Sequence, residues 1–299
     1  MAERGPAGAA ADPPAGPAGS AGLARALRAE AELLENRVEG GENLRLRLWV
    51  PDFPGFLPGQ FVMLSPGPRG AAPRTDPLLP RPMAVYRERR ADGEDRAGSL
   101  REAEIEILFK RHGRGTALLA SCAPGDRVGV VGPLGHGFAA ISGRALLVAG
   151  GTGIASVYEL AARLERRAPG SARVLLGARS GADLMGVSDF EALGVGPLIA
   201  TEDGSLGKRG LVTDLLEAEL ARDASAHVYA CGPTAMMRRC AEIAASRGAP
   251  CSASLENPMA CGFGVCLGCA APLRAGGFAL VCRDGPVFDA AAIAWEVMP

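Results

Sequence analysis

The sequence has no long apolar segment, no excess of either charge and few histidines. Its 299 residues include 32 Lys and Arg against 33 Asp and Glu, for a net charge of −1. A nucleic-acid partner requires a basic surface that neutralises phosphates, so this balance argues against one. The most apolar runs, such as ALLVA at 145–149, are strand-sized and far below the roughly 20 residues that cross a bilayer. We therefore expect neither a nucleic-acid partner nor a membrane span.

The sequence also lacks an apolar signal segment at its start and is poor in cysteine for a disulfide scaffold. It has eight cysteines in 299 residues. Disulfide scaffolds are short, secreted and much richer in cysteine, so we expect a cytoplasmic protein with reduced thiols. The three histidines, at 112, 136 and 227, form no cluster and are expected to be surface or structural residues.

Three changes of pattern divide the chain into four segments. The first residues, rich in Ala, Gly and Pro, have no periodic apolar face, and we predict a disordered tail over 1–32. Short alternating or apolar runs then predict an antiparallel β-barrel over 33–142. Apolar strands alternate with amphipathic helical stretches over 143–250, which predicts a parallel α/β domain. The cysteine-containing remainder, 251–299, completes an α+β multidomain protein.

Four cysteines in the last segment follow the pattern C-x4-C-x2-C-x12-C: Cys261, Cys266, Cys269 and Cys282. This spacing is typical of thiolate ligands to a [2Fe-2S] cluster. Zinc is the alternative for four cysteines, but zinc ribbons usually show two C-x2-C pairs. The sequence therefore favours an electron-carrying cluster over zinc.

Two segments of the predicted barrel can contact an anionic cofactor. RPMAV at 81–85 begins with an arginine, whose planar fork pairs with a pyrophosphate, and RHGRGT at 111–116 leads into a short helical stretch with free backbone N–H groups. Together they suggest a flavin dinucleotide. Alone, each is also explained by a strand edge or by an ordinary turn with a helix cap.

The segment VAGGTGIAS at 148–156 follows the first strand of the α/β domain, where a parallel sheet opens a crevice for nucleotides. Gly150, Gly151 and Gly153 permit close backbone approach, although a tight turn explains them equally well. Ser156 replaces the last glycine of the dinucleotide fingerprint. In YACGPTAMM at 229–237, Cys231 is a candidate to face a nicotinamide, or is a small buried residue.

The order of these segments resembles the ferredoxin-reductase superfamily and, within it, the family of electron-transfer subunits of NAD-dependent dihydroorotate dehydrogenases. The resemblance covers residues 33–290 and is most specific in GPLGHGF at 132–138, TEDGSLGKRGLVTDLL at 201–216, SLENPMACGFGVCLGC at 254–269 and VCRDGPVF at 281–288. It implies an oxidoreductase subunit of pyrimidine biosynthesis with FAD and a [2Fe-2S] cluster as cofactors and NAD as substrate.

The resemblance also implies which residues bind FAD. One set would contact the flavin directly, a second would run along its isoalloxazine or ribityl portion, and a third would hold the pyrophosphate. Ala84 stands where the family usually has Ser or Thr, and Ser156 where relatives often have Pro. The three sets are Arg81, Pro82, Met83, Ala84 and Val85; Leu108, Phe109 and Lys110; and Gly115 with Thr116.

By the same resemblance, the partner is an FMN-containing dihydroorotate dehydrogenase catalytic subunit, in a heterotetramer with two copies of each chain. Electrons would pass from FMN through the cluster and FAD to NAD+, because only a flavin converts single electrons into a hydride pair. A subunit of a ferredoxin:NADP+ transhydrogenase or sulfide dehydrogenase is the nearest alternative, but that subfamily carries aspartate in place of Cys261. A non-enzymatic iron–sulfur or zinc scaffold would leave the flavin and nucleotide segments unexplained. The preference for NAD or NADP is left open.

Overall fold

The computed structural model describes residues 26–67, 76–77, 79–90, 103–139 and 143–298. Most of the predicted tail, residues 1–25, lies outside the described residues. Two large sheets and a small two-stranded sheet organise the described chain. Within it, no helix is both long and apolar enough to cross a membrane.

Seven antiparallel strands form the first sheet in the order β4-β3-β7-β1-β2-β6-β5. Side chains alternate between its faces, and the inward ones, such as Leu46, Leu48, Ile105 and Ile107, are fully buried in one core. Helix α1 follows β6. The elements are β1 (Leu27–Gly40), β2 (Asn43–Val50), β3 (Phe61–Pro66), β4 (Arg81–Ala84), β5 (Arg87–Arg90), β6 (Ala103–Lys110), α1 (Gly113–Ala120) and β7 (Arg127–Leu134).

One segment supplies both edges of this antiparallel sheet. β4 pairs with β3 at one edge, and β5, which is separated from β4 by two residues, pairs with β6 at the other. Between them, the Val85 N–H donates to Gln60 O and the Tyr86 N–H donates to Glu106 O. The sheet therefore curls around its core until its two edges meet at residues 81–90.

The disordered tail was predicted to extend to residue 32, but β1 already begins at Leu27. Residues 27–32 belong to β1, where they pair with residues 127–132 of β7. Glu and Ala in this stretch are poor strand formers, so pairing with a distant strand is what makes it extended.

The second sheet is parallel except at one edge, with the order β11-β10-β9-β8-β12-β13-β16. Alternation along β8 sends Leu146 and Val148 toward α4 and α5, and Leu147 and Ala149 toward α2 and α3. The elements are β8 (Ala145–Gly150), α2 (Ile154–Arg167), β9 (Ala172–Ala178), α3 (Val187–Ala192), β10 (Leu198–Thr201), β11 (Lys208–Arg209), α4 (Val212–Arg222), β12 (His227–Cys231), α5 (Thr234–Ser246), β13 (Cys251–Ser254), β14 (Ala270–Pro272), β15 (Phe278–Leu280), α6 (Val281–Asp284) and β16 (Val287–Asp289). Short 3₁₀ turns lie at Gly151–Gly153, Gly181–Asp183, Ala290–Ala292 and Trp295–Val297.

The cysteine segment leaves the second sheet and returns to it. β13 pairs in parallel with β12, and β16 pairs antiparallel with β13, so both ends of the segment are strands of the α/β sheet. The structure therefore differs from the predicted division at residue 250, because residues 251–254 and 287–289 complete the parallel-sheet half. Between them lie the hairpin β14–β15, helix α6 and the cysteines.

Candidate functional site

A cavity of about 440 Å³ opens where the first sheet, the second sheet and the cysteine segment meet. The first sheet contributes the ends of β4 and β6, the second contributes the turn after β8, and the chain after β13 closes the far wall. Its lining includes Pro82, Met83, Ala84, Leu108, Phe109, Lys110, Thr152, Ser156, Glu256, Asn257 and Met259. Apolar walls with a few polar groups are typical of a cofactor site.

An anion-binding arrangement lies beside this cavity. The Arg81 side chain lies directly against Gly115 in the first turn of α1. There the first backbone N–H groups have no partners within the helix and attract an anion. Thr116 does not offer its hydroxyl, because that group accepts from the His112 N–H at 2.7 Å and donates to His112 O at 2.6 Å. Arg81 and the helix amides are thus the groups that fit a pyrophosphate.

A second cavity, of about 510 Å³, lies at the carboxyl edge of the parallel strands. Gly150 and Gly151 line it at the end of β8, and Arg179 and Glu202 line it just after β9 and β10. Asn43 of the first sheet also reaches it. This is the edge at which open α/β sheets bind nucleotides.

Lys110, Thr152 and Glu256 line both cavities. The two spaces therefore meet at these residues, so molecules bound in them can come into contact there. The Glu256 side chain is open to the cavities but closely surrounded by protein, and this loss of solvent raises the pKa of its carboxyl.

Cys231 lies beneath this meeting point without lining either cavity. It is fully buried, and its Sγ lies 3.8 Å from Glu256 Oε1, with the hydroxyls of Ser156 and Ser254 also in hydrogen-bonding reach. Burial, together with the Glu256 carboxyl, raises the pKa of the Cys231 thiol well above its ordinary value. Cys231 is therefore a protonated thiol below the site rather than a reactive thiolate within it.

The four predicted ligands approach each other in two pairs. Cys269 Sγ lies 3.2 Å from Cys282 Sγ in the buried core, and the Cys266 thiol is within hydrogen-bonding reach of Cys261. Although burial opposes the effect, backbone N–H groups of the loop lower the pKa of the Cys261 thiol to about 6, while burial and Cys269 raise that of Cys282 to about 12. Among the described residues, no group of three or more His, Cys, Asp or Glu side chains is spaced for a single metal ion.

The loop that carries Cys261, Cys266 and Cys269, called the cysteine loop below, packs on the first sheet. Gly262 has a φ of +84°, and a Cβ at this residue would lie 2.7 Å from Met63 Cγ in β3. Only glycine combines this backbone with this contact. Asn257, which lines the first cavity, donates to the carbonyl of Ala270, the residue after Cys269, at 3.2 Å. The loop is thereby joined to the cavity wall.

The structure brings together most of the predicted cofactor residues. Pro82 to Ala84 and Leu108 to Lys110 line the first cavity, while Gly150 and Gly151 line the second. Val85 does not reach either cavity, because it is 1% exposed and packs in the core of the first sheet. Gly153 also lies outside them, under the Cys231 carbonyl, where a side chain has no room.

Sequence reasoning missed several lining residues. Glu256, Asn257 and Met259 stand in the segment SLENPM, which carried the resemblance but no assigned role. Arg179 and Glu202 directly follow strands of the parallel sheet. Nucleotide-binding residues are expected at this position, so the sequence could have identified them as candidates.

Two family models match the chain. One describes the iron-sulfur cluster binding domain of dihydroorotate dehydrogenase B and matches residues 256–294. The other describes an oxidoreductase NAD-binding domain and matches residues 147–242. The first spans all four cysteines and the second spans the strand ends that line the second cavity.

Similar proteins of the same description come from distant organisms. The electron transfer subunit of dihydroorotate dehydrogenase B (NAD(+)) from Geobacillus thermodenitrificans is 40% identical over 79% of this chain and 86% of its own length. A probable subunit of the same name from Methanopyrus kandleri is 39% identical over 86% of this chain and 88% of its own length.

Solved structures share the fold. A chain of an NADH-dependent reduced ferredoxin-NADP oxidoreductase, described in connection with flavin-based electron bifurcation, aligns with a TM-score of 0.71 at 27% identity, over 90% of this chain and 91% of that one. The ferredoxin reductase of carbazole 1,9a-dioxygenase aligns with a TM-score of 0.61 at 20% identity, over 75% of this chain and 67% of that one, and shows the fold alone.

Proposed function

This chain belongs to the family of electron transfer subunits of dihydroorotate dehydrogenase B, and from that membership we propose which of its residues hold each cofactor. It is an NAD-linked oxidoreductase subunit that uses FAD and an iron–sulfur cluster to transfer electrons to NAD+ in pyrimidine biosynthesis. The observation that carries the assignment is that two cavities meet at Lys110, Thr152 and Glu256 while the cysteine loop joins the wall of the first.

The cluster would be held by the four cysteines in their two observed pairs. A [2Fe-2S] centre has two protein ligands on each iron. Cys261 with Cys266 would bind one iron, and Cys269 with Cys282 the other. Backbone N–H groups directed at Cys261 favour its thiolate form, which is the form that binds iron.

FAD would occupy the first cavity. Pro82 to Ala84 and Leu108 to Lys110 would flank the ring system, and Arg81 with the first turn of α1 would hold the pyrophosphate. Because Ala84 has no hydroxyl, hydrogen bonds to the ring would come from backbone groups of the cavity. When bound, FAD exchanges a hydride with nicotinamide and single electrons with the cluster.

NAD would occupy the second cavity with its nicotinamide directed toward Glu256. Gly150 and Gly151 allow its phosphates to approach the backbone after β8. Glu256 would face the ring from the point where the cavities meet, and the buried Cys231, which lies within reach of the Ser156 hydroxyl, would hold that carboxyl in place.

The name shared by the relatives implies a catalytic partner subunit. We propose that this partner contains FMN, that two copies of each chain assemble, and that docking occurs over the cysteine loop. The loop exposes three apolar side chains: Phe263 at 57%, Val265 at 74% and Leu267 at 63%. Exposed apolar groups beside a redox centre favour a partner that excludes water there. The structure describes all eight cysteines and joins none of them in a disulfide, which supports the cytoplasmic location we propose.

Anaerobic purification tests this assignment. The protein should show flavin and iron–sulfur absorption with two irons per chain, and with the catalytic subunit it should reduce NAD+ in the presence of dihydroorotate. A colourless protein carrying stoichiometric zinc would refute the cluster. Activity with ferredoxin and NADP+, but not with dihydroorotate, would instead support the transhydrogenase relationship.

A further inference from the structure

A buried network of charges joins the two halves of the molecule. It links strands of the first sheet to helix α3, which packs on the second sheet. We call this group the junction network, and it comprises Glu39, Arg45, Tyr86, Arg87, Glu106 and Asp189.

Asp189 is the point of contact on the α3 side. Its Oδ2 accepts hydrogen bonds from Arg45 Nη2 at 2.5 Å and from the Tyr86 hydroxyl at 2.8 Å, and its Oδ1 accepts from Arg87 Nη1 at 3.1 Å. Asp189 is thus held by three side chains of the first sheet.

Arg45 is the point of contact on the other side. It is 3% exposed, and its guanidinium reaches Glu39 at 2.7 Å, Glu106 at 2.7 Å and Asp189. A planar fork that is hydrogen-bonded in three directions has one orientation, so Arg45 fixes where Asp189 lies. Although burial raises it, hydrogen bonds from Arg45 and Tyr86 lower the pKa of Asp189, which is therefore charged at neutral pH.

The backbone at the start of α3 fits this contact closely. Gly186 has a φ of +65°, and a Cβ there would lie 2.5 Å from the Tyr86 hydroxyl. The preceding turn is docked too, because Asn43 Nδ2 donates to Asp183 O at 2.9 Å. The whole segment 183–189 is therefore held on the first sheet.

Residues next to the junction network line each of the two cavities. Tyr86 follows Ala84, which lines the first cavity, by two residues. On the other side, Asn43 and Asp183 line the second cavity. A shift of α3 relative to Tyr86 would therefore move one cavity relative to the other.

Hydride transfer is sensitive to such a shift. With both cofactors bound, a hydride (one proton with two electrons) would pass from NADH to the flavin, so that NADH would become NAD+ as the flavin is reduced. Reacting atoms must approach to about 3–3.5 Å, and a 1 Å displacement can cost about 10²-fold in rate. Buried ion networks are weak evidence for stability, but they can specify one arrangement of the parts they join.

We propose that the junction network positions the nicotinamide against the flavin, with Asp189 and Arg45 as positioning residues; this inference rests on the proposed function. None of the six residues of the junction network lines either cavity. They act by holding the two halves, and hence the two cavities, at one distance.

The test compares three variants of the holoprotein. Asp189→Asn breaks the ion pairs, Tyr86→Phe removes one hydrogen bond and keeps the ring, and Asp223→Asn removes an exposed ion pair with Arg144 in the same half as a matched control. Stopped-flow absorbance gives the limiting rate of flavin reduction at saturating NADH. The long-wavelength charge-transfer absorption reports stacking of nicotinamide on flavin.

We expect Asp189→Asn to lower the limiting rate by about tenfold or more and to weaken the charge-transfer band, at unchanged flavin content. Tyr86→Phe should change both readouts in the same direction by less, and Asp223→Asn should change neither. Wild-type rates and bands in both junction variants, with only a lower melting temperature, would show a purely stabilising role and overturn the proposal. If Asp189→Asn does not fold, Tyr86→Phe alone decides. Failure of NADH to reduce the flavin of the wild-type protein would refute the proposed function itself.

Discussion

Replacing the exposed apolar side chains of the cysteine loop should weaken docking of the catalytic subunit. In the variant Phe263→Ser with Val265→Ser, the side chains removed are 57% and 74% exposed in the isolated chain. Full burial of one such side chain contributes about 1.5–3 kcal/mol, so covering these exposed fractions contributes about 2–4 kcal/mol. We therefore expect the Kd for the catalytic subunit to rise about 30- to 700-fold.

The assay titrates the catalytic subunit and follows dihydroorotate-dependent NAD+ reduction. NADH-dependent dye reduction should stay unchanged, because the cavities are not altered. Cluster absorption should persist, because residues 263 and 265 hydrogen-bond Cys261 through their backbone, which the substitutions keep. Val38→Ser, at a 65% exposed valine of β1, is the matched control. A wild-type Kd for the loop variant, with an intact cluster, would refute docking at this face.

Four further predictions concern the cofactor sites and the strand-to-helix turn beside them. Cys266→Ser should abolish cluster absorption and dihydroorotate-dependent NAD+ reduction while sparing NADH-dependent dye reduction; equal loss of both activities would contradict the electron order. Glu256→Gln should weaken binding of cationic NAD+ more than that of NADH, by at least about fivefold, since a charge at about 4 Å contributes about 1 kcal/mol even in water. The pKa of Glu256 is raised above its ordinary value of 4.5, so its carboxylate is protonated at a higher pH than usual. The affinity of the wild-type protein for NAD+ should therefore begin to fall, as pH decreases, before pH 4.5 is reached. An affinity independent of pH would refute this. In Gly153→Ala, a Cβ would lie 2.7 Å from Gly232 N, so unfolding free energy should fall by about 1–3 kcal/mol, whereas Gly196→Ala, in open space, should melt as wild type.

Local pattern predicted the interior of both sheets. Within the predicted barrel range 33–142, the alternating residues 44–50 and 104–109 correspond to β2 and β6, because alternation of apolar residues reflects one buried face. The apolar run at 145–149 corresponds to β8 of the second sheet. The cysteine spacing likewise predicted thiols that lie close together. Features that depend on a strong local sequence pattern could therefore be predicted without the structure.

Long-range pairing escaped this reasoning. The beginning of β1 lacks strand-forming residues and is extended only because it pairs with β7. Arg45 and Asp189 are 144 residues apart in the sequence. Arg and Asp side chains usually lie on the surface, so nothing in the local sequence indicated that these two form a buried pair. Glu256 was missed for a similar reason, since its role depends on two cavities formed by distant elements.

The segment between β13 and the first cysteine has a consequence for how the two redox sites are spaced. Met259 lines the first cavity and Cys261 is only two residues further on, so their Cα atoms are at most about 7 Å apart. The covalent chain sets this limit on the Cα–Cα distance, and the limit holds even when the two halves move. In the proposed assignment, the wall of the flavin cavity and the cluster would therefore be joined through the chain itself, whereas the two halves that form the nucleotide cavity would be joined by non-covalent contacts. A shift of α3 against the first sheet would then change the distance for hydride transfer more than the distance between flavin and cluster.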